Sequence, residues 1–420
     1  MNTSTQSAPA TSLRPWQHAA LFLATCAVIV ARRPDELFHP QFFAEDGKVW
    51  FADAYNLGWL HALSHTWTGY FLTLPRLGGA LAQLVPFLHA PLVLNLIAIG
   101  VQALPVSVLL SSRSAAWGSL RFRLLLAALY LALPNCAELS SGITESQWHL
   151  ALAAFLLLVA SPARTTTTRA LDLVLLLISG LSGPFCIFLF PIAAFIAFRR
   201  TGKHRLLPAA ALALCCAIQL IALTILDRTG RPHHPIGATA DLFVRIIGGR
   251  IVLSTLVGNS GLPRAAGPEW LLLFISLTIL GIAIVAACFL QSTLEMRLFL
   301  VFSSLVFAAS LVSITTLQPA QVPVWQILLE QGGVRYWFFP TLALVWSLAA
   351  STRSRFPLLK AASILVLALT SIGILRDFRQ PAFKDMHFAE QVQRFNNAPT
   401  GTTVIIPENP AGWTLSLTKH

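Results

Sequence analysis

Long apolar runs broken by short polar stretches dominate the chain. Each run ends at arginine, proline or glycine, and most can traverse much of a hydrocarbon layer about 30 Å thick. The pattern predicts an all-α polytopic membrane protein with about 11 transmembrane helices. The predicted spans are 16–32, 91–111, 122–136, 147–161, 170–182, 184–198, 206–226, 270–290, 297–317, 337–351 and 358–375.

Two of these runs, 170–182 and 184–198, are short and meet at "SGLSGPF". We expect half-helices that meet at a Gly-Pro turn. Irregular backbone at membrane depth is tolerated where it lines a cavity.

The polar loops between runs predict the orientation. "SSRSAAWGSLRFR", "SPARTTTTR", "FRRTGKHR" and "STRSRFPLLK" are rich in basic residues and nearly lack acids, so the positive-inside rule assigns them to the cytoplasm. A cytoplasmic N-terminus then requires that Gly69–Leu88 does not cross. We expect an interfacial or re-entrant helix there, on the outer side, and an extracytoplasmic C-terminus.

Three regions follow from this topology. Residues 1–15 are predicted to be a disordered cytoplasmic N-terminus, and 16–375 a multi-span membrane domain whose first outer loop is 33–90. Residues 376–420 are predicted to be a small extracytoplasmic segment, in which "TTVIIP" indicates a strand and "NPAGW" a turn.

Composition supports the membrane assignment and limits where chemically active residues can lie. The chain is 55% hydrophobic and 11% charged, against about 25% charged residues in a soluble domain. Its formal net charge is +12, but the basic residues are scattered over loops, so nucleic acid is not an expected partner. Any chemistry must come from loops and helix ends.

The strongest candidate is the pair Glu45 and Asp46 in "FFAEDGKVWFADAY". Adjacent carboxylates can bind a divalent cation, act as a general base or hold a sugar hydroxyl. A solvated loop that caps a helix is the alternative. Phe51, Tyr55 and Trp59 recur every four residues after the pair, which predicts a helix with an aromatic stripe at the headgroup layer.

Five further charged or aromatic residues are predicted at the outer rim. Glu138 and Glu145 lie in "PNCAELSSGITESQWHLAL", the next outer loop, where helix capping is a competing role for Glu145. Arg335 and Tyr336 in "LEQGGVRYWFFP" stand at the mouth of a span, where an arginine can hold a phosphate or anchor a headgroup. Arg76 in "GYFLTLPRLGG" is a weaker candidate of the same kind.

This arrangement resembles the GT-C superfamily of integral-membrane glycosyltransferases. The resemblance covers roughly 16–375 and consists of one span, a long first outer loop with paired acids, and a second acid in the next outer loop. "RLGGALAQLVP" and "GGVRYWFFP" are similar to the corresponding segments of bacterial members. The chain lacks the His-Pro-Pro segment of the mannosyl- and aminoarabinosyl-transferase branches and a large C-terminal outer domain, which leaves the acceptor class open.

The resemblance implies a bacterial inner-membrane enzyme that uses a polyprenyl-phosphate-linked sugar on the outer face. The acceptor would be a glycan, a lipid or a protein. Asp46 would be the base for inverting displacement, with Glu45, Glu145 and Glu138 beside it. Mg²⁺ or Mn²⁺ is an optional cofactor, with Asp46 and Glu145 as tentative ligands. Arg335 would stabilise the leaving phosphate.

Three further residues of this sequence are candidates for substrate binding. They are Tyr336, Arg76 and, in a C-terminal segment that covers the acceptor cleft, Trp413. A transporter or flippase of a lipid-linked saccharide is the main alternative, and a polysaccharide polymerase or ligase is another. Few charges lie in the middle of the spans, which favours chemistry at one face over passage through the membrane.

The predicted topology is tested by a reporter fused after Ala115. A cytoplasmic signal is expected, because this site lies in an arginine-rich loop. A signal from the outer side would contradict the topology, and Glu138 and Glu145 would then face the cytoplasm.

Overall fold

The structure, a computed structural model, describes residues 13–140, 142–199, 203–226, 234–259, 261–262, 268–316 and 318–420. Most of the predicted N-terminal segment 1–15 therefore lies outside the described residues. The long and medium α-helices are Pro15–Arg32, Ala90–Leu110, Leu120–Leu131, Ser146–Val159, Thr166–Gly180, Cys186–Arg199, Lys203–Ile221, Leu271–Gln291, Leu294–Val312, Phe338–Ser351 and Pro357–Asp377. Shorter helical segments are Ala222–Leu226, Ala240–Val244, Arg245–Leu253, Ser254–Val257, Val324–Leu329 and Gln331–Trp337.

The chain is a helical membrane protein, and each of the predicted spans contains a helix. Among the described residues, five helices are long and apolar enough to cross a membrane, by length and composition. They are Phe87–Leu110, Leu206–Leu226, Leu271–Gln291, Leu294–Val312 and Pro357–Asp377. The count of 11 crossings remains a prediction.

The first outer loop folds into short helices that lie against the bundle. They are Asp35–Phe38, Asp46–Phe51, Ala52–Leu57, Trp59–Ser64 and Thr73–Ala82. The predicted single helix with an aromatic stripe is wrong, because Gly58 at φ +82° separates two helices and leaves Phe51 buried and Trp59 exposed. Thr73–Ala82 has 10 residues and spans about 15 Å, half of a bilayer core.

The break at "SGLSGPF" is present, since helices end at Gly180 and restart at Cys186. Gly183 adopts φ +103°, a left-handed conformation that favours glycine. The buried Gln219 amide donates to the carbonyls of Phe71 and Gly183, at 3.0 and 3.2 Å, and so satisfies backbone that the break leaves open. The first outer loop is thereby joined to the middle of the bundle.

Two helices form the centre of the bundle. All residues of Ser146–Val159 are buried, and Phe338–Ser351 is buried along nearly its whole length. Their first turns lie at the same end of the bundle as the first outer loop, directly after Glu145 and after the segment that contains Arg335. Two of the most completely buried helices therefore begin just after the candidate residues.

The C-terminal segment packs on the first outer loop. Helix Phe388–Asn396 is followed by antiparallel strands Thr403–Glu408 and Trp413–Thr418, in the register Val404↔Leu417 and Ile406↔Leu415. The strand and turn predicted from the sequence are confirmed. Apolar residues of the hairpin and of the loop share a second core, which includes Phe42, Trp50, Phe388, Ile406 and Leu415.

Candidate functional site

Three segments that are distant in sequence meet at one cavity. Glu45 from the first outer loop, Glu145 from the next loop, and Arg335 with Tyr336 line a space of about 210 Å³. Its wall is rich in rings, contributed by Trp67, Tyr70, Trp148, Phe185, Phe188 and Tyr336. The broken helix contributes Pro184 and Phe185, so irregular backbone does line a cavity, as expected.

Arg335 links the two acids of the second outer loop. Its Nη1 donates to Glu138 at 2.7 Å and to Glu145 at 3.1 Å, and its backbone N–H donates to Glu138 at 3.2 Å. Its Nη2 donates to the carbonyl of Thr315 at 2.6 Å. The guanidinium is thus fixed by charge-assisted bonds, and its positive charge is already offset in this state.

Asp46 lies beside the cavity and does not line it. Its Oδ2 accepts from the backbone N–H of Ile143 at 3.1 Å, and its Oδ1 accepts from the Thr144 hydroxyl at 2.9 Å and the Thr144 N–H at 3.3 Å. Gly142, at φ +74°, passes so close that a Cβ there would lie 2.4 Å from Oδ2. Asp46 therefore ties the second outer loop to the first.

Burial raises the pKa of Asp46 and of the two glutamates that line the cavity, Glu45 and Glu145. For Asp46 it raises the pKa to about 7, although the hydrogen bonds from Thr144 and Ile143 act in the opposite direction. It also raises the pKa of Glu45 and of Glu145, against the lowering effect of the Arg335 charge. These carboxyl groups therefore stay protonated at a higher pH than solvent-exposed acidic side chains do.

Arg76 and Trp413 lie away from the cavity. Arg76 is buried, forms an ion pair with Asp53 at 2.5 Å, and stands over the ring of Trp50 at 5.0 Å. Trp413 contacts the ammonium of Lys48, which is 5.0 Å from its ring. Neither side chain is among the cavity wall residues, so their substrate-binding roles remain predictions without a geometric basis here.

Glu408 is a candidate that the sequence interpretation did not single out. It is 2% exposed, and neither carboxylate oxygen meets hydrogen-bond geometry, although the Lys48 backbone N–H is near enough to lower its pKa. Burial, together with the nearby Asp46 charge, raises this pKa to about 9. The sequence carries one signal of its burial, because the alternation of the strand puts Glu408 on the same buried face as Val404 and Ile406.

The donor set does not fit a divalent metal. Within the described part of the chain, no group of three or more His, Cys, Asp or Glu side chains is arranged to hold an ion. The Asp46 oxygens accept three hydrogen bonds from the second outer loop, and Glu145 is bonded to Arg335. The tentative assignment of Asp46 and Glu145 as metal ligands has no support in this geometry.

No protein-family model matches the chain, and no curated protein sequence matches it. Two solved structures are similar in fold. One is the archaeal oligosaccharyltransferase AglB from Archaeoglobus fulgidus in complex with an inhibitory peptide and a dolichol-phosphate, at 12% identity and a TM-score of 0.41, covering 91% of this chain and 58% of that one.

The second is the Archaeoglobus fulgidus oligosaccharyltransferase tethered to an acceptor peptide with an NVT sequon, at 14% identity and a TM-score of 0.42, covering 92% of this chain and 58% of that one. Both of these proteins are oligosaccharyltransferases. This chain covers less than two thirds of their length.

Substitution of Glu408 is predicted to stabilise the protein at alkaline pH. The folded state retains the Glu408 proton up to a pH of about 9, whereas the ordinary pKa is 4.5. Between these values the folded state binds more protons, so its stability falls as the pH rises. Glu408→Gln removes this dependence. Its melting temperature in detergent should exceed that of the parent by several degrees at pH 8, and by much less at pH 5.

Glu390→Gln is the matched control, because Glu390 is an exposed acid of the same C-terminal segment. It should leave the melting curve at both pH values unchanged. If Glu408→Gln were destabilising at pH 8, the buried carboxylate would be ionised and paired.

Proposed function

We propose that this protein is a membrane glycosyltransferase that moves a sugar from a polyprenyl-phosphate donor to an acceptor hydroxyl or amide. The observation that supports it is one cavity in which a half-buried carboxylate, Glu45, faces a fixed cation, Arg335, between aromatic walls. A carboxylate can take a proton from an acceptor, an arginine can bind a phosphate, and rings present flat apolar surfaces to a sugar.

Glu45 is the better candidate for the general base than Asp46. Glu45 lines the cavity, and burial raises its pKa, against a lowering effect of the nearby Trp67 side chain, which makes it a stronger base. The Asp46 oxygens are occupied by Ile143 and Thr144. We therefore assign Asp46 as a positioning residue that holds the second outer loop.

Charge balance assigns a separate role to Glu145. If Glu45, Glu138 and Glu145 were all ionised, their three negative charges would exceed the single positive charge of Arg335, and the site would repel an anionic donor. The raised pKa of Glu145 favours its neutral form, and its Oε2 is buried without a hydrogen-bond partner. A protonated Glu145 can donate a hydrogen bond from this oxygen, while Arg335 remains cationic for the phosphate.

The reaction is a single displacement. Glu45 accepts the proton of the acceptor, and the acceptor oxygen or nitrogen forms a bond to the anomeric carbon. The bond from that carbon to the phosphate oxygen breaks, and its electron pair leaves with the polyprenyl phosphate. Arg335 offsets the charge that develops on this oxygen. The anomeric configuration is inverted because attack and departure occur on opposite faces.

The test uses the purified full chain in liposomes with a panel of polyprenyl-phosphate sugars and acceptors, and measures release of polyprenyl phosphate. Glu45→Gln should lower kcat by about two orders of magnitude or more, as expected for loss of a general base, with an unchanged melting temperature. As the pH is lowered, the activity of the parent should be lost at a higher pH than an ordinary glutamate would give, since burial raises the pKa of Glu45.

Glu330→Gln is the control, because Glu330 is an exposed acid near Arg335 in sequence. It should retain parental activity. Full activity of Glu45→Gln would refute its assignment as the base. If the parent turns over no member of the panel and instead moves a labelled lipid-linked sugar across the bilayer, the protein is a transporter.

A further inference from the structure

A second cavity, of about 520 Å³, lies at the opposite end of the bundle. Helix Phe338–Ser351 begins beside Arg335 and ends at this cavity, and its 14 residues separate the two sites by about 20 Å. Helix Leu294–Val312 runs between the same two ends, from Thr293 at this cavity to Ser310 at the first. The positive-inside pattern assigns this end to the cytoplasm.

The wall of this cavity is cationic. Arg353 and Arg355 line it, and no aspartate or glutamate is among its described wall residues. Arg353 stands 4.7 Å from the ring of Phe122, and Arg355 stands 5.1 Å from the ring of Phe356, so both guanidinium groups rest on aromatic faces. Such contacts leave the N–H groups at the guanidinium edge for an anion.

Two buried donors at the same cavity have no acceptor. Ser351 and Trp117 are each 4% exposed, and neither the Ser351 Oγ nor the Trp117 Nε1 has a hydrogen-bond partner. An indole N–H can only donate, and a buried polar group without a partner is destabilising. A ligand that carries acceptor oxygens would satisfy both groups.

A helix also begins here. Leu294–Val312 has 19 residues, and its N-cap residue Thr293 lines the cavity without a side-chain capping bond. The N-terminus of a helix carries a partial positive charge, which Glu295 in the first turn of this helix offsets in part. This feature reinforces the two arginines and the unsatisfied donors, which are separate observations.

We propose that this cavity binds a phosphate group, as a second ligand site distinct from the candidate active site. Donors without acceptors, arginines without carboxylate neighbours in the wall, and a helix N-terminus all favour an anion with several oxygens. Apolar wall residues, which include Phe122, Leu290 and Met296, also accommodate a hydrocarbon group next to the anion. The phosphate belongs either to an anionic phospholipid or to a soluble compound.

The test measures thermal stabilisation of the purified full chain in a neutral detergent. The probes are dioctanoyl-phosphatidylglycerol and inorganic phosphate, with dioctanoyl-phosphatidylcholine and sodium chloride as matched controls. Saturable stabilisation by phosphatidylglycerol alone identifies a lipid site. Saturable stabilisation by inorganic phosphate as well identifies a site for soluble phosphate compounds. No response to either probe overturns the proposal.

Substitutions in the cavity wall test whether the thermal stabilisation arises from binding at this cavity. The double substitution Arg353→Gln and Arg355→Gln should weaken the response at least tenfold, whereas Arg164→Gln, which removes an exposed arginine outside the cavity wall, should retain it. Ser351→Ala should weaken it several-fold without lowering the melting temperature of the ligand-free protein, because it removes a buried unsatisfied hydroxyl. Equal responses of the parent, the double variant and Ser351→Ala would overturn the proposal.

Discussion

The candidate active site depends on the carboxylate of Asp46. It is 1% exposed, and its burial is offset by hydrogen bonds from Ile143 and Thr144 of the next outer loop. These bonds join two loops across 97 and 98 residues of sequence. They bring Glu145, which follows Thr144 directly, to the cavity that Glu45 lines. This junction therefore places Glu45 in the same cavity as Glu145 and Arg335.

Burial of acidic groups recurs around this junction. Glu36, Asp46 and Glu408 are all buried, and each has a pKa raised by loss of solvent and further raised by a neighbouring acid. Such a concentration of carboxyl groups costs stability, and residues of this kind collect at functional sites. The C-terminal hairpin closes over the group, since Asn409 exchanges backbone hydrogen bonds with Phe42 and Ala44. The hairpin therefore completes the environment of Asp46 and does not stand over the open cavity.

The positions of the helices could be predicted from the sequence because apolar runs and their Gly, Pro and Arg boundaries are local signals. The break at "SGLSGPF" and the strand at "TTVIIP" were predictable for the same reason. The pairing of Arg335 with Glu138 and Glu145 was not, since no local pattern reports contacts across 190 residues. Asp46 and Glu45 are adjacent in sequence, but only tertiary packing decides which one lines the cavity. The aromatic stripe predicted after them does not form, because Gly58 ends the helix between Tyr55 and Trp59.

A photoreactive polyprenyl-phosphate sugar tests most directly whether the cavity beside Glu45 and Arg335 is where a lipid-linked sugar binds. We expect label on peptides that contain Trp67, Trp148 and Tyr336, competition by unlabelled polyprenyl-phosphate sugar, and loss of label in Arg335→Gln. Label confined to the far end of the bundle, or retained in full by Arg335→Gln, would contradict it.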